Sequence, residues 1–329
     1  MPSRRVVRWI AGLALVAALA VAAGAGWAHH RFERPGPTET AKTVVVPKGS
    51  GLAGIAALLE RQGLVATPMD RYVFMAGVVL VSRPARLRAG EYEFPAHVSL
   101  RGAMEILASG VSIVRRFTAP EGLTSTEIVA LLNGAEGLDG EITAAPPEGS
   151  LLPETYHYTW GDSRTELLAR MRSAQTEAVA RLWPDRGPGA PETQAAALVL
   201  ASIVEKETGV GGERARIAAV FLNRLRLGMK LQSDPTVIYG LSPGSGELDH
   251  ALTRSDLTRP TPYNTYVIDG LPPGPICNPG RAAIAAVLKP ADSTDLYFVA
   301  DGSGGHAFAE TLAEHNRNVA KWRRIERSR

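Results

Sequence analysis

The 329-residue chain has one cysteine, Cys277, and aromatic residues make up only 6% of it. A single cysteine excludes an internal disulfide and argues against a cysteine-based metal site. Cys277 lies in a Pro/Gly-rich stretch that predicts a loop, so we expect a small packing residue there and not a nucleophile. The seven histidines include no His-x-x-x-His pair, and no phosphate-binding loop or dinucleotide fingerprint is present. We therefore expect neither a metal ion nor a cofactor.

The chain also has no net positive charge once its first eight residues are excluded. The chain has 36 Lys and Arg against 33 Asp and Glu, which gives a net charge of +3. Arg4, Arg5 and Arg8 precede the first apolar run, with no acidic residue among them, and account for all of it. The rest of the chain is formally neutral, so the basic isoelectric point does not predict a nucleic-acid partner.

One long uncharged run is present near the N-terminus, from Trp9 to Ala28. A run of this length can cross a bilayer as one helix, and Trp9 and Trp27 stand where interfacial indoles are common. The preceding arginines predict that residues 1–8 lie in the cytoplasm and the bulk of the chain outside it. Small residues near the end of the run leave a cleaved signal peptide as the alternative, although the run exceeds a usual signal core. We expect a retained single-pass anchor in the cell inner membrane, with residues 29–42 as a linker to a periplasmic part.

A strand–turn–helix pattern repeats within residues 43–147. It begins with a Val-rich strand and a Pro-Lys-Gly turn, and it returns at an offset of 73 residues. The matching pairs are Pro47 with Pro120, Gly49 with Gly122, and Ile55 with Ile128. A weaker copy, beginning at Phe94-Pro95, lies at an offset of 48. Repeated units of this size resemble LysM modules, which often bind amino-sugar polymers. The alternative is that the units only pack on the rest of the protein and space it from the membrane.

The remaining part, residues 148–329, mixes helices and short strands without regular alternation. Helical patterns cover residues 164–182, 217–225, 280–288 and 310–324, and residues 296–300 read as a strand. The stretch from residue 231 to 279 reads as loop-rich and polar. An α+β fold is therefore expected for this part.

An apolar helical pattern over residues 198–208 ends in an acidic pair. Apolar neighbours disfavour the charged form of a carboxyl, and a general acid that works near neutral pH needs such an environment. The pattern makes Glu205 a candidate general acid. It is equally compatible with a solvated helix end in which Glu205 and Glu207 flank Lys206.

Two polar loop stretches after this helix carry groups that suit a sugar, because amides and hydroxyls bind sugar hydroxyls and aromatic rings stack on sugar C–H faces. The candidate sugar-binding residues are Gln232, Ser233, Asp234, Thr236, Tyr239, Tyr263, Asn264 and Tyr266. The spacing also allows a plainer interpretation, in which Asn264 is a turn residue and Tyr266 a core residue.

Several long motifs resemble, in the same order, those of the MltG (YceG-like) endolytic murein transglycosylases. They are Ala201-Ser-Ile-Val-Glu-Lys-Glu-Thr208, Leu231-Gln-Ser-Asp-Pro-Thr-Val-Ile-Tyr-Gly-Leu241, Pro262-Tyr-Asn-Thr-Tyr266, Gly270-Leu-Pro-Pro-Gly274 and Phe298-Val-Ala-Asp-Gly302. The similarity extends over essentially the whole chain, from the apolar run through the LysM-like units to the last helix. It implies that residues 148–329 form the catalytic domain of a lyase that acts on peptidoglycan.

The resemblance also implies a mechanism and partners. The first Glu of the Glu-Lys-Glu-Thr motif, Glu205, would protonate the MurNAc–GlcNAc bond and then deprotonate the MurNAc C6 hydroxyl, giving a 1,6-anhydro end. Glu207, Glu213, Asn223 and His306 would support the site. The family relation implies that the protein limits the length of nascent strands, coupled to peptidoglycan synthases. Two alternatives stay open: a non-catalytic peptidoglycan-binding scaffold, and a two-carboxylate hydrolase that uses Asp234 or Glu213 as its second carboxylate.

Overall fold

The computed structural model describes residues 4–81 and 87–327, and its internal contacts divide the chain into two compact units. Unit 1 comprises Met1–Arg115 with Tyr158–Gly161, and unit 2 comprises Arg116–His157 with Asp162–Arg329. The division differs from the predicted boundary between residues 147 and 148. The second copy of the repeat belongs to unit 2 because its turn is hydrogen-bonded there: Gly122 N donates to Asn278 O over 3.1 Å, and Ser125 N donates to the Glu148 carboxylate over 2.8 Å.

Unit 1 is built around a two-stranded sheet covered by helices. Its elements in chain order are α1 (Arg4–Glu33), β1 (Lys42–Val46), α2 (Leu52–Arg61), α3 (Pro68–Val81), β2 (Gly90–Phe94) and α4 (Leu100–Ser109). Strands β1 and β2 are antiparallel, with Lys42 opposite Phe94 and Val46 opposite Gly90. The core contains the fully buried Leu59, Phe74, Tyr92, Phe94 and Leu107.

Helix α1 contains the predicted span and continues five residues beyond it. By length and composition it is able to cross a membrane. Its side chains are exposed through Trp27, and Phe32 is the first that is buried, in the core of unit 1. The linker predicted from residue 29 is therefore helical as far as Glu33.

The repeat predicted from the sequence is present as local structure. Helices α2, α4 and α5 (Ser125–Gly134) each have ten residues. Helix α4 begins 48 residues after the start of α2, and α5 begins 73 residues after it. Gly49 and Gly122 both have φ of 79°, a left-handed conformation that glycine adopts without a steric penalty. Glycan binding by these units stays a prediction.

Unit 2 and the strands at its boundary form a mixed α+β assembly, as predicted. In chain order the elements from residue 114 are β3 (Val114–Thr118), α5, β4 (Leu138–Asp139), β5 (Thr155–Thr159), β6 (Asp162–Ser163), α6 (Arg164–Leu182), α7 (Gln194–Glu207), α8 (Arg214–Arg226), α9 (Asp234–Leu241), α10 (Arg254–Leu257), α11 (Arg281–Leu288), β7 (Tyr297–Ala300), β8 (His306–Ala309) and α12 (Leu312–Arg327). The sheets are two-stranded: β3 with β5, β4 parallel to β6, and β7 antiparallel to β8.

Most of the predicted elements of this part are observed, with one clear exception. Helix α6 has the predicted bounds, the strand at 296–300 is β7, and α12 lies two to three residues beyond the predicted closing helix. The prediction of loop at residues 234–241 was wrong, because this stretch is α9. Asp234 and Pro235 begin that helix, and both residue types are favoured in a first turn.

Helices α7, α8 and α11 pack on one another in the middle of unit 2. Helix α7 is buried on all sides from Val199 to Val204, which an amphipathic surface helix would not be. Ile217 and Phe221 of α8 and Ile284 of α11 complete the core around it. This packing fixes the C-terminal end of α7, where the acidic pair lies.

Candidate active site

The end of α7 directs two carboxylates to different places. Glu205 and Glu207 are two residues apart, so their side chains leave the helix on roughly opposite sides. Each carboxylate contacts different segments of unit 2. The two surroundings differ in the charges near the carboxylate and in whether it lines a cavity.

Glu205, the general acid predicted from the sequence, has an enclosed side chain. Its side chain is only 4% exposed. Oε2 accepts a hydrogen bond from Gly280 N over 2.8 Å, and Oε1 accepts one from Arg214 Nη2 over 3.2 Å. The surroundings of Glu205 thus include a cation and a backbone donor, which the sequence did not predict. Both oxygens are engaged, and they join the end of α7 to the beginnings of α8 and α11, where helix dipoles favour a negative charge.

A further carboxyl, which the sequence did not single out, lies beside this ion pair. Glu121 Oε2 is 3.7 Å from Arg214 Nη2. Burial and the nearby charge of Glu205 raise the pKa of Glu121, and Arg214 opposes part of that rise. A Cβ at position 280 would lie 1.8 Å from Glu121 Oε1, so this close approach requires Gly280.

Glu207 has the properties that were expected of Glu205. Burial raises the pKa of Glu207 to about 7, and the nearby charge of Asp234 adds to the rise. A hydrogen bond from Ser233 Oγ to Oε1, together with the charges of His306 and Arg224, opposes it. A carboxyl with this pKa holds its proton for a large fraction of the time at neutral pH, as a general acid must.

Glu207 also opens on a cavity of about 270 Å³. Polar groups dominate the wall, as a sugar site requires, and Tyr266 and Phe298 are its aromatic members. The lining residues are Glu207, Arg224, Leu231, Gln232, Asp234, Tyr266, Phe298 and His315. The Tyr266 hydroxyl donates to Asp234 Oδ1 over 2.6 Å, which fixes both side chains at the rim.

Four of the predicted sugar-binding residues lie at or next to this cavity. Gln232, Asp234 and Tyr266 line it, and Ser233 contacts it through the hydrogen bond to Glu207. Gln232 has φ of 51°, a left-handed conformation that costs a non-glycine residue roughly 1 kcal/mol or more. Strain of this kind is often found at ligand sites, and here it positions a side chain at the wall.

The other four are packed within unit 2. Asn264 and Thr236 are 0% exposed, so neither offers a surface to a sugar. Asn264 Nδ2 donates to the carbonyl oxygens of Asp256, Leu257 and Arg259, and its Oδ1 accepts from Tyr266 N. Thr236 Oγ1 donates to Ser233 O over 2.6 Å. The buried Tyr239 ring packs edge-on against Tyr263, with 4.8 Å between centroids. These residues hold the loops that carry Ser233 and Tyr266.

The predicted supporting residues are also fixed by hydrogen bonds. Glu213 accepts from the backbone N of His306 over 2.9 Å and pairs with its Nδ1 over 2.7 Å. Asn223 Nδ2 donates to Ser293 O and Asp295 O, which ties α8 to the segment before β7. Asn223 is thus structural, whereas His306 stands close enough to affect the charge of Glu207.

The cavity includes residues that the sequence did not assign to binding. Arg224 is held in place by donating to Leu231 O over 2.8 Å and to Leu296 O over 2.7 Å. His315 stacks on Tyr297, and its buried Nδ1 has no partner among residues 4–81 and 87–327. Burial and the charge of Arg224 lower the pKa of His315. The pair His315-Asn316 also resembles the corresponding family sequence, and that resemblance was the available signal.

Comparison with known proteins agrees with the motifs. Residues 44–321 match the model of the YceG-like family. The chain belongs to that family. It is similar to an endolytic murein transglycosylase of Bacillus subtilis, with 28% identity over 87% of this chain and 86% of that protein. A Streptococcus pneumoniae protein of the same name is also 28% identical, and the chain spans 58% of its length.

A solved structure of this family is also similar to the chain. A YceG-like protein of Listeria monocytogenes matches with a TM-score of 0.54 and 29% identity. The match covers 85% of this chain and 99% of that one. The fold of this YceG-like chain is therefore shared by a relative of known structure.

Proposed function

We propose that this YceG-like protein is an endolytic peptidoglycan lytic transglycosylase whose proton donor is Glu207. The observation that carries the proposal is the buried Glu207 carboxyl, with a pKa of about 7, at the wall of a polar cavity. The names of the similar B. subtilis and S. pneumoniae proteins support the substrate and the reaction class.

One carboxyl suffices for this reaction because the substrate supplies its own nucleophile. Protonated Glu207 donates to the oxygen of the MurNAc–GlcNAc bond as that bond breaks. The resulting carboxylate accepts the proton of the MurNAc C6 hydroxyl while O6 bonds to C1. Glu207 thereby regains its proton, and the product is a 1,6-anhydro-MurNAc end.

Geometry favours Glu207 over Glu205, the residue predicted from the motif. Both oxygens of Glu205 already accept hydrogen bonds, from Gly280 N and Arg214 Nη2, and its side chain is only 4% exposed. Glu207 accepts a hydrogen bond from Ser233 at Oε1, and within residues 4–81 and 87–327 its other oxygen has no hydrogen bond or ion pair. Glu205 is then the structural member of the pair.

A two-carboxylate hydrolase is the second candidate, and one observation favours it. Asp234 lines the same cavity as Glu207, so a second carboxylate is available to activate a water. Glu213, the other candidate, is engaged by His306 at both oxygens. Hydrolysis would leave a reducing MurNAc end instead of an anhydro end.

Digestion of purified uncrosslinked glycan strands tests the assignment. Wild type, Glu207→Gln and Glu205→Gln are compared below their melting temperatures, and strand ends are identified by mass spectrometry. We expect internal cuts with anhydro ends from wild type, and a loss of about 10²-fold or more in Glu207→Gln. Glu205→Gln should keep anhydro-forming activity, since it alters a packing contact.

The other outcomes are equally definite. Loss of activity in Glu205→Gln with retention in Glu207→Gln would reverse the assignment. Reducing ends that disappear in Asp234→Asn would establish the hydrolase. Strands that bind the protein but are not cut would support the non-catalytic scaffold, with the LysM-like units of residues 43–147 as the binding part.

The cellular setting belongs to the same proposal. Helix α1 anchors the chain in the inner membrane with residues 1–8 in the cytoplasm, of which the structure describes residues 4–8, and unit 2 works in the periplasm. Cuts made there would limit the length of strands as synthases extend them. Longer strands in cells that carry Glu207→Gln would support this role, and an unchanged length distribution would contradict it.

A further inference from the structure

Helix α3 in unit 1 exposes an apolar face along its whole length. The exposed residues of that face are Met69, Tyr72, Ala76, Val79 and Leu80. Their spacing of three, four, three and one places them on one side of a helix. Leu80 is 77% exposed and Val79 is 63% exposed, so these side chains lie on the surface of unit 1 and not at the edge of its core.

The opposite face of α3 is buried in the core of unit 1 through Val73, Phe74 and Val78. The helix is therefore apolar on both sides. A helix that is apolar all round is normally enclosed by protein or by lipid, and contiguous exposed apolar surface marks an interaction site. Its 14 residues are too few to cross a bilayer, which leaves contact along its side.

Helix α3 is fastened to the end of α1, the membrane helix. The Phe32 ring lies against Gly77, where an added Cβ would be 2.3 Å from the ring. Asp70 accepts from Arg31 Nη1 over 2.8 Å and from Arg34 Nη2 over 3.1 Å. These contacts hold α3 across the first turns of α1 that follow the apolar run.

The position of these contacts along α1 gives their height above the hydrocarbon. Phe32 is four residues beyond Ala28, the last uncharged residue of the run, and four residues of helix span about 6 Å. The headgroup layer is roughly 5–8 Å thick on each side of the hydrocarbon core. The Phe32–Gly77 contact therefore lies at headgroup height if α1 spans the bilayer.

We infer that the exposed face of α3 rests in the boundary between headgroups and acyl chains of the membrane that α1 crosses. The ligand is a phospholipid surface, and unit 1 would sit on the bilayer beside its own anchor. This inference rests on the membrane anchoring that forms part of the proposed function. Amphipathic contact of this kind buries the apolar face about 5–10 Å deep.

Lipid is favoured over a protein partner by what surrounds the face. The side chains of α1 are exposed up to Trp27, so the lipid-facing surface of α1 ends within about a turn and a half of Phe32. Arg31 lies 4.8 Å over the Trp27 ring, and Tyr72 belongs to the apolar face. Tryptophan, tyrosine and arginine are the side chains that favour membrane interfaces.

The test places a fluorophore on the face in the full-length protein. Leu80→Cys is labelled with an NBD maleimide and reconstituted into vesicles of phosphatidylethanolamine and phosphatidylglycerol, with or without acyl-chain-brominated lipid. The native Cys277 is buried, so wild type measures the background labelling. Leu131→Cys is the matched control, because Leu131 is an exposed leucine of α5 in unit 2.

We expect brominated lipid to remove most of the NBD emission at position 80 and none at position 131. Equal quenching at both positions would mean general adsorption and would overturn the inference. No quenching at position 80 would also overturn the inference. It would mean that the face of α3 contacts water or a partner protein and not lipid. Glycan cleavage by the same labelled protein is measured in parallel, so failure of the membrane contact is distinguished from failure of the proposed activity.

Discussion

Ionisation of the buried Glu207 carboxyl lowers the stability of the fold. Its pKa of about 7 in the folded protein lies above the ordinary value of 4.5. Stability from the bound proton is fully present below pH 4.5 and is lost as pH rises through 7. Stability should therefore fall from pH 5 to pH 8, by roughly 2–3 kcal/mol from this group.

Glu207→Gln replaces the carboxyl with a neutral group of the same shape and should remove this pH dependence. We expect the variant to be more stable than wild type at pH 8, as measured by urea unfolding at both pH values. Glu205→Gln is the control and should be less stable than wild type at both, because it removes the 3.2 Å ion pair with Arg214 and leaves that guanidinium with the more distant Glu121. Equal stability of wild type and Glu207→Gln at pH 8 would contradict burial of the Glu207 carboxyl.

The sequence predicted Glu205 as the catalytic acid at the end of α7, whereas we propose its neighbour Glu207 for that role. Periodicity places Glu205 and Glu207 on one helix, and both follow the same apolar run. Their difference comes from remote segments: Gly280 and Arg214 enclose Glu205, while Ser233 and Tyr266 build the wall next to Glu207. No spacing rule relates residues that far apart in the chain.

The Asn264 amide helps to hold the loop that carries Tyr266. Asn264 is fully buried and donates to three backbone carbonyls of the segment 256–259. Asn264→Ala should cost about 2–4 kcal/mol, because it leaves buried carbonyl oxygens unpaired. Thermal unfolding measures that loss.

Gln232→Ala gives the contrast within the same site, because Gln232 is exposed at the cavity wall. It should raise KM for glycan strands and leave the melting temperature nearly unchanged. If Asn264→Ala kept its stability and changed only KM, the sugar-binding role first predicted for Asn264 would be restored.

Local patterns predicted elements best where periodicity and turn chemistry agree. The offsets of 48 and 73 residues anticipated α4 and α5 to the residue, because each copy combines a turn with a regular apolar face. Helix α9 was missed because its polar beginning resembles a loop, although Pro235 also suits a first turn. The apolar face of α3 lies outside the repeat and gave no comparable signal.

At the scale of the whole molecule, the sequence predicted the fold class and a helix long and apolar enough to cross a membrane, and both are observed. A boundary near residue 147 follows from the Gly/Pro-rich stretch before it. The contacts instead place the second strand–turn–helix copy in unit 2. That copy brings Glu121 to the ion pair of Glu205 and Arg214, so it takes part in building the domain that holds the site.

The continuity of α1 into unit 1 favours a retained anchor over a cleaved signal peptide. Phe32 is buried in the core of unit 1, on the same unbroken helix as the apolar run. We expect the protein in cells to retain its N-terminus and to stay in the membrane fraction after carbonate washing. Intact-mass measurement after purification checks this.

Two variants separate anchoring from packing. Leu15→Arg places a charge at the middle of the run, which costs about 2.5–3.5 kcal/mol of insertion free energy, and should release part of the protein from the membrane. Phe32→Ala should destabilise unit 1 by about 3–5 kcal/mol through the cavity it leaves, yet keep the protein membrane-bound. A mature N-terminus at Gly26 or His29 would show that the run is a signal peptide, and α3 would then lose the helix that holds it at the membrane.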